Sequence, residues 1–188
     1  MVEVKLFLPE NEDLMPLKKS YLYRAGFKGK NIVNDNQMCK IVNSIYMLGL
    51  ELAEPKIYYN TFDIKELDPT ILPDSFRISE KITLFASTLG ADIDKEIQTF
   101  SDRDLVLKVT LLDAWASEAL ERINRTFDKK LRDRNQEGTR RFSPGYGNLD
   151  IRVNNRILDI LDIDEIEANP ETGIITPRKS TICMIGWK

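Results

Sequence analysis

The chain has 188 residues, 42% apolar and 30% charged, with a net charge of −3. That is enough for one sizeable core or two small ones, at the composition of a soluble globular protein. It contains no histidine. This excludes Ser-His-Asp and Cys-His catalysis, His-ligated zinc, and any histidine ligand from this chain to a cobalt or haem iron. No run approaches the roughly 20 apolar residues of a membrane helix. The alternating start Met1-Val2-Glu3-Val4-Lys5 is unlike a signal peptide. A cytoplasmic protein with no membrane partner is expected. Cys39 and Cys183 lack metal-ligand spacing and read as reduced, small hydrophobes. A negative chain has no global basic field to attract nucleic acid. Charge is nonetheless uneven: Arg122 to Arg141 holds eight Lys/Arg and three acids, and Asp159 to Glu171 six acids and no base.

In chain order, Val2 to Leu8 alternates and predicts a strand ended by Pro9. Leu14 to Ala25 predicts a helix, broken by Gly26 and Gly29. Asp35 is the expected N-cap of a helix to about Ala53, with Met38, Ile41, Val42, Ile45 and Leu48 on one stripe and Pro55 as the stop. Lys56 to Ile64 is rich in β-formers, Phe76-Arg77-Ile78 suggests a short strand, and Lys81 to Thr88 a buried one closed by Gly90. Asp92 to Phe100 predicts a short helix. Ser101 with Asp104 resembles an N-cap pair opening the longest helix, to about Asn135. Its stripe is Leu105, Val109, Leu112, Ala116, Ala119, Ile123, Phe127 and Leu131. Gln136 to Asp150 reads as a loop, Ile151 to Leu161 as a helix, and Gly173 to Thr176 and Thr181 to Trp187 as strands joined by Pro177 to Ser180. Helices and strands mix without a βαβ rhythm. The expectation is α+β, an elongated single domain over 1–188 with helices packed on an antiparallel sheet, its segment 1–30 the hardest to place.

The loop Arg140-Arg141-Phe142-Ser143-Pro144-Gly145-Tyr146-Gly147-Asn148 is the most informative stretch. Pro144-Gly145 marks a tight turn, two arginines precede it and an aromatic follows. Such a loop can grip a carboxylate or phosphate and stack an aromatic group. The plainer alternative is a surface turn with an incidental tyrosine.

The run from Arg141 to Tyr146 resembles the R-x-x-x-G-Y motif of the S-adenosylmethionine-binding activation domain of cobalamin-dependent methionine synthase. Thr176-Pro177-Arg178-Lys179-Ser180 and Met184-Ile185-Gly186-Trp187 are similar to the P-x-K-S and I-G-W endings of that family's small, separately encoded members. Leu84 to Gly90 is similar to their central strand and turn, and Tyr23-Arg24-Ala25-Gly26-Phe27 to an early R-x-G-aromatic element. The resemblance runs in order from about residue 20 to 187.

What it implies is specific. S-adenosylmethionine would be held beside a corrin; a flavodoxin-like or other reductase would supply one electron to inactive Co(II), and the Co(I) formed would take the methyl group. The cobalamin would arrive on a partner, a cobalamin-binding methionine synthase. This chain would be the activation component of that methyltransferase system, inactive alone, with no catalytic acid, base or metal of its own. Arg141 matches the motif arginine and would grip the ligand carboxylate. Gly145 would bring backbone near the ligand, Tyr146 would pack at the ligand and corrin face, and Ser143 and Pro144 would shape the loop. Arg140 has no motif role and reads as solvated. For the ligand ammonium, Glu118 is preferred and Asp113 is the rival. Arg178 and Lys179 could line the site or form a solvated turn. The long multidomain synthases begin this domain with a segment supplying a further ligand-binding acid, and nothing here matches it. The basic half of the long helix would meet solvent, or acidic surface on a partner or reductase. Two other readings remain: activation of a different corrinoid methyltransferase, and a non-catalytic binding module.

Overall fold

The computed structural model describes residues 4–27, 36–135 and 137–188. A short strand, Lys5–Phe7 (β1), comes first. The helix expected over 14–25 is two short ones, Asn11–Leu14 (α1) and Lys18–Arg24 (α2). Met15 takes an extended conformation, ψ 107°, because the ring of Pro16 disfavours helical backbone in the residue before it. The expected Asp35 cap and the break at Gly29 lie outside the described residues. Asn36–Leu52 (α3) buries Val42 and Ile45, and Lys56–Asp63 (β2) follows Pro55.

Two further expectations give way to local hydrogen bonding. Residues 76–78 are no strand: Asp74–Phe76 is a 3-10 turn, in which Phe76 N–H donates to Pro73 O and Ser79 N–H to Phe76 O. Those bonds use the groups a ladder would need, leaving Phe76 buried and Ile78 exposed. After Lys81–Thr88 (β3), the helix Asp92–Asp102 (α4) runs through Ser101. Ser101 therefore ends one helix rather than opening the next. Its carbonyl accepts from Asp104 N–H, Leu105 N–H reaches back to Phe100 O, and Asp104 sits at φ 56°, a left-handed helix end. The long helix is Val106–Asn135 (α5). Val153–Leu161 (α6), the two-residue strands Glu167–Ala168 (β4) and Ile175–Thr176 (β5), and Ser180–Trp187 (β6) complete the chain. β5 pairs with β4 in a separate small sheet, so residues 173–187 do not form a hairpin.

The main sheet is antiparallel, in the order β1-β2-β3-β6. This is the α+β architecture that the sequence predicts. Helices cover both faces, which explains why β3 lacks polar alternation: seven of its eight residues are buried. Ile57, Phe85, Cys183 and Ile185 face a core shared with α3 and α5, including Trp115, Ile123 and Phe127. Ile82, Leu84, Ala86, Ile182 and Met184 face a second core with α6 and the 3-10 turns, including Ile71, Phe76 and Ile157. None of the described helices is long and apolar enough to cross a membrane.

The segment 138–142, read from sequence as plain loop, runs beside β6. Phe142 and Met184 exchange both backbone bonds, at 2.9 and 2.8 Å, and Thr139 N–H donates to Gly186 O at 2.8 Å. Arg132 of α5 pins its start, donating to Thr139 O at 2.7 Å while its guanidinium lies over the Trp187 ring. The lead into the motif is thus an irregular edge strand tied to the central sheet.

Candidate functional site

The tie to β6 fixes the turn that follows. Phe142 points into the second core against Phe76, and Pro144 is buried. Gly145 then takes φ 90°, a region that a side chain strongly disfavours. Its N–H donates to Leu149 O at 2.9 Å, closing the loop over buried Leu149. Tyr146, next in the chain, is left 70% exposed. The turn is rigid at its base and presents an aromatic ring at its tip.

A cleft of about 890 Å³ opens between this turn, the cleft-facing side of α5 and the start of β6. Arg140, Arg141, Phe142, Ser143, Pro144 and Tyr146 line one wall; Ser117, Leu120, Glu121, Asn124 and Arg125 line the other. The spacing of Ser117, Glu121, Asn124 and Arg125 places them on one face of the helix. Thr181, Ile182 and Cys183 form the floor, and Ile151 and Ile175 an apolar side. Gly173 allows that side to close: its φ is 71°, and an added Cβ would lie 2.6 Å from the Ile151 backbone.

Arg141 and Glu121 meet across the cleft. Nη2 of Arg141 donates to both carboxylate oxygens, at 2.8 and 2.7 Å, and Nε of Arg125 donates to Oε1 at 3.0 Å. The Arg141 side chain is only 20% exposed. Ser143 Oγ lies 3.2 Å from Cys183 Sγ. Burial pushes the Cys183 thiol up, against a smaller opposing effect of the Ser143 bond and the Arg141 charge, so it stays protonated. Asn124 is buried beneath the cleft and accepts from Ser87 Oγ of β3 at 2.7 Å.

The structure brings Arg141, Ser143, Pro144 and Tyr146 to the cleft, with Gly145 in the turn between them. It does not bring Glu118 or Asp113 there. Glu118 accepts from Arg24 Nε at 2.6 Å, and Arg24 lines the cleft edge. Asp113 accepts from Lys179 Nζ at 2.7 Å, and the same ammonium donates to Ser117 Oγ at 3.0 Å. Lys179 is thereby a buried tie between β6 and α5, and Arg178 offers its backbone N–H to Asp94. The carboxylate in the cleft is Glu121, which the sequence reading passed over. Its signal was the polar series Ser117, Glu121, Asn124 and Arg125 at helical spacing beside the apolar stripe. Among the described residues no group of three or more Cys, Asp or Glu converges to hold a metal.

No family model matches the chain. No curated protein matches it. Among solved structures, the chain is similar to a crystal structure of the MetH reactivation domain bound to AdoHcy, with a TM-score of 0.68 over 99% of this chain and 78% of that one, at 13% identity. The chain has the fold of that reactivation domain, and the sequence-level resemblance and the three-dimensional likeness agree.

Proposed function

We propose that this protein binds S-adenosylmethionine in the cleft between α5 and the Arg141–Tyr146 turn, as the activation component for a partner that carries cobalamin. The partner is a methionine synthase or another corrinoid methyltransferase. One observation carries the reading: Arg141, Glu121 and Tyr146 meet in one cleft, on the fold of a reactivation domain described with S-adenosylhomocysteine bound.

The residues suit that ligand. Glu121 engages Arg141 through Nη2 alone among the described residues, so Nε–H or Nη1–H is left to donate a charge-assisted bond to the amino-acid carboxylate. Glu121 offers the ligand ammonium an acceptor, taking the part that the sequence assigned to Glu118 or Asp113. Ile151, Ile175 and Phe142 give apolar surface for the nucleoside. Tyr146, exposed at the mouth, packs against the donor end and the face of the docked partner. When docked, the partner's cobalamin supplies the nucleophile, with its electron from a flavodoxin-like or other reductase. This chain holds the amino-acid end so that the sulfonium methyl faces the mouth. That is a positioning effect, and it requires no acid or base from the protein.

Calorimetry on the isolated protein tests the binding half. Heat and a thermal shift are expected with both S-adenosylmethionine and S-adenosylhomocysteine, without methylation of a small acceptor. Absence of both at millimolar ligand would remove the reading. Turnover without cobalamin would recast the protein as a methyltransferase in its own right.

A further inference from the structure

The charges around the cleft do not balance. Among the described residues four arginines line it, Arg24, Arg125, Arg140 and Arg141, and one carboxylate, Glu121. Glu118, just outside, offsets Arg24 at 2.6 Å, and Glu121 offsets Arg141 at 2.7 Å. Arg125 only shares the Glu121 carboxylate, and Arg140 is exposed with no ion-pair partner among the described residues. The neighbouring charges come as matched pairs, Lys179 with Asp113 and Asp150 with Arg152. Two cations are therefore left over in a protein whose net charge is −3.

Granting the ligand reading above, the geometry points to a cleft that selects against positive charge at the ligand's sulfur. It prefers the neutral thioether S-adenosylhomocysteine to the sulfonium S-adenosylmethionine, and Arg125 and Arg140 set that preference. The consequence reaches the transfer itself. As the S–CH3 bond breaks, sulfur keeps the bonding pair and becomes neutral, while the acceptor supplies the pair for its new bond to the methyl carbon. A site with surplus positive charge destabilises the bound sulfonium and relaxes as that charge disperses, so it favours transfer over retention of the donor. The same bias holds the spent product in the cleft until fresh donor outcompetes it.

Competitive calorimetry with three ligands tests this: S-adenosylmethionine, S-adenosylhomocysteine, and sinefungin, which carries an ammonium where the sulfonium stands. S-adenosylhomocysteine is expected to bind roughly fourfold tighter than either cation at low salt, the effect that two unit charges exert over about 10 Å in a water-like dielectric. The gap should narrow at about 0.5 M salt. Arg140→Gln should reduce it and the Arg125→Gln, Arg140→Gln double variant should abolish it, with unfolding midpoints confirming both are folded. Equal affinities, or tighter binding of the cations, would overturn the inference and leave the ligand reading intact. A preference unchanged in the double variant would overturn the assignment to these arginines. Binding of none of the three would defeat the ligand reading itself.

Discussion

The two faces of α5 are made of different chemistry and hold different things. One face carries Leu112, Trp115, Ala116, Ala119, Ile123 and Phe127, all buried against α3 and the sheet. The other carries Ser117, Glu121, Asn124 and Arg125, tied through ion pairs and hydrogen bonds to the cleft and to β3. The first face stabilises the fold by removing apolar surface from water. The second contributes little net stability through partly exposed ion pairs, but it sets the geometry of the cleft. Two functions share one helix because a 3.6-residue period separates them by side rather than by position along the chain.

Substitutions on the two faces should therefore separate stability from binding. The largest effect belongs to the core face. Trp115→Ala removes a fully buried ring packed against Gly49 and should cost about 3–5 kcal/mol in denaturant unfolding. A cost below about 1 kcal/mol would show that this face is not where the fold is held. Arg141→Ala should do the opposite, weakening S-adenosylmethionine binding by about 1.5–3 kcal/mol with little change in unfolding midpoint. If Arg140→Ala does greater damage to affinity, the grip has been given to the wrong arginine. Asn124 stands between the two classes. Asn124→Ala leaves Ser87 Oγ without its partner under the cleft and should cost about 1–3 kcal/mol of stability, with a smaller loss of affinity. The smallest effect on stability is expected for Tyr146→Ala, whose exposed ring contributes to neither core; its unfolding midpoint should match wild type while calorimetry shows a loss of affinity smaller than that of Arg141→Ala.

Much of this division was legible in the sequence. The stripe from Leu112 to Leu131 marked the core face, the run from Lys81 to Thr88 read as a buried strand, and the Arg141–Tyr146 segment marked the turn at the cleft. What escaped was decided by partners distant in sequence. Residues 138–142 look like loop because their pairing lies in β6, more than 40 positions away. Glu118 and Asp113 were the acids expected at the ligand ammonium, and nothing local reveals that they pair with Arg24 and Lys179 outside the cleft lining that Glu121 joins. The Ser101–Asp104 pair fits a helix start in composition, and only the left-handed Asp104 shows that it closes α4.

The central claim is that the cleft presents a methyl donor to a cobalamin held by another protein. Its most direct test mixes this protein with a cobalamin-loaded methionine synthase lacking its own activation domain, a reductant and S-adenosylmethionine, and follows the corrin spectrum from Co(II). Recovery of the methylated form should depend on this protein, and Tyr146→Ala should slow it more than it weakens ligand binding. Recovery at the same rate without the protein would contradict the account.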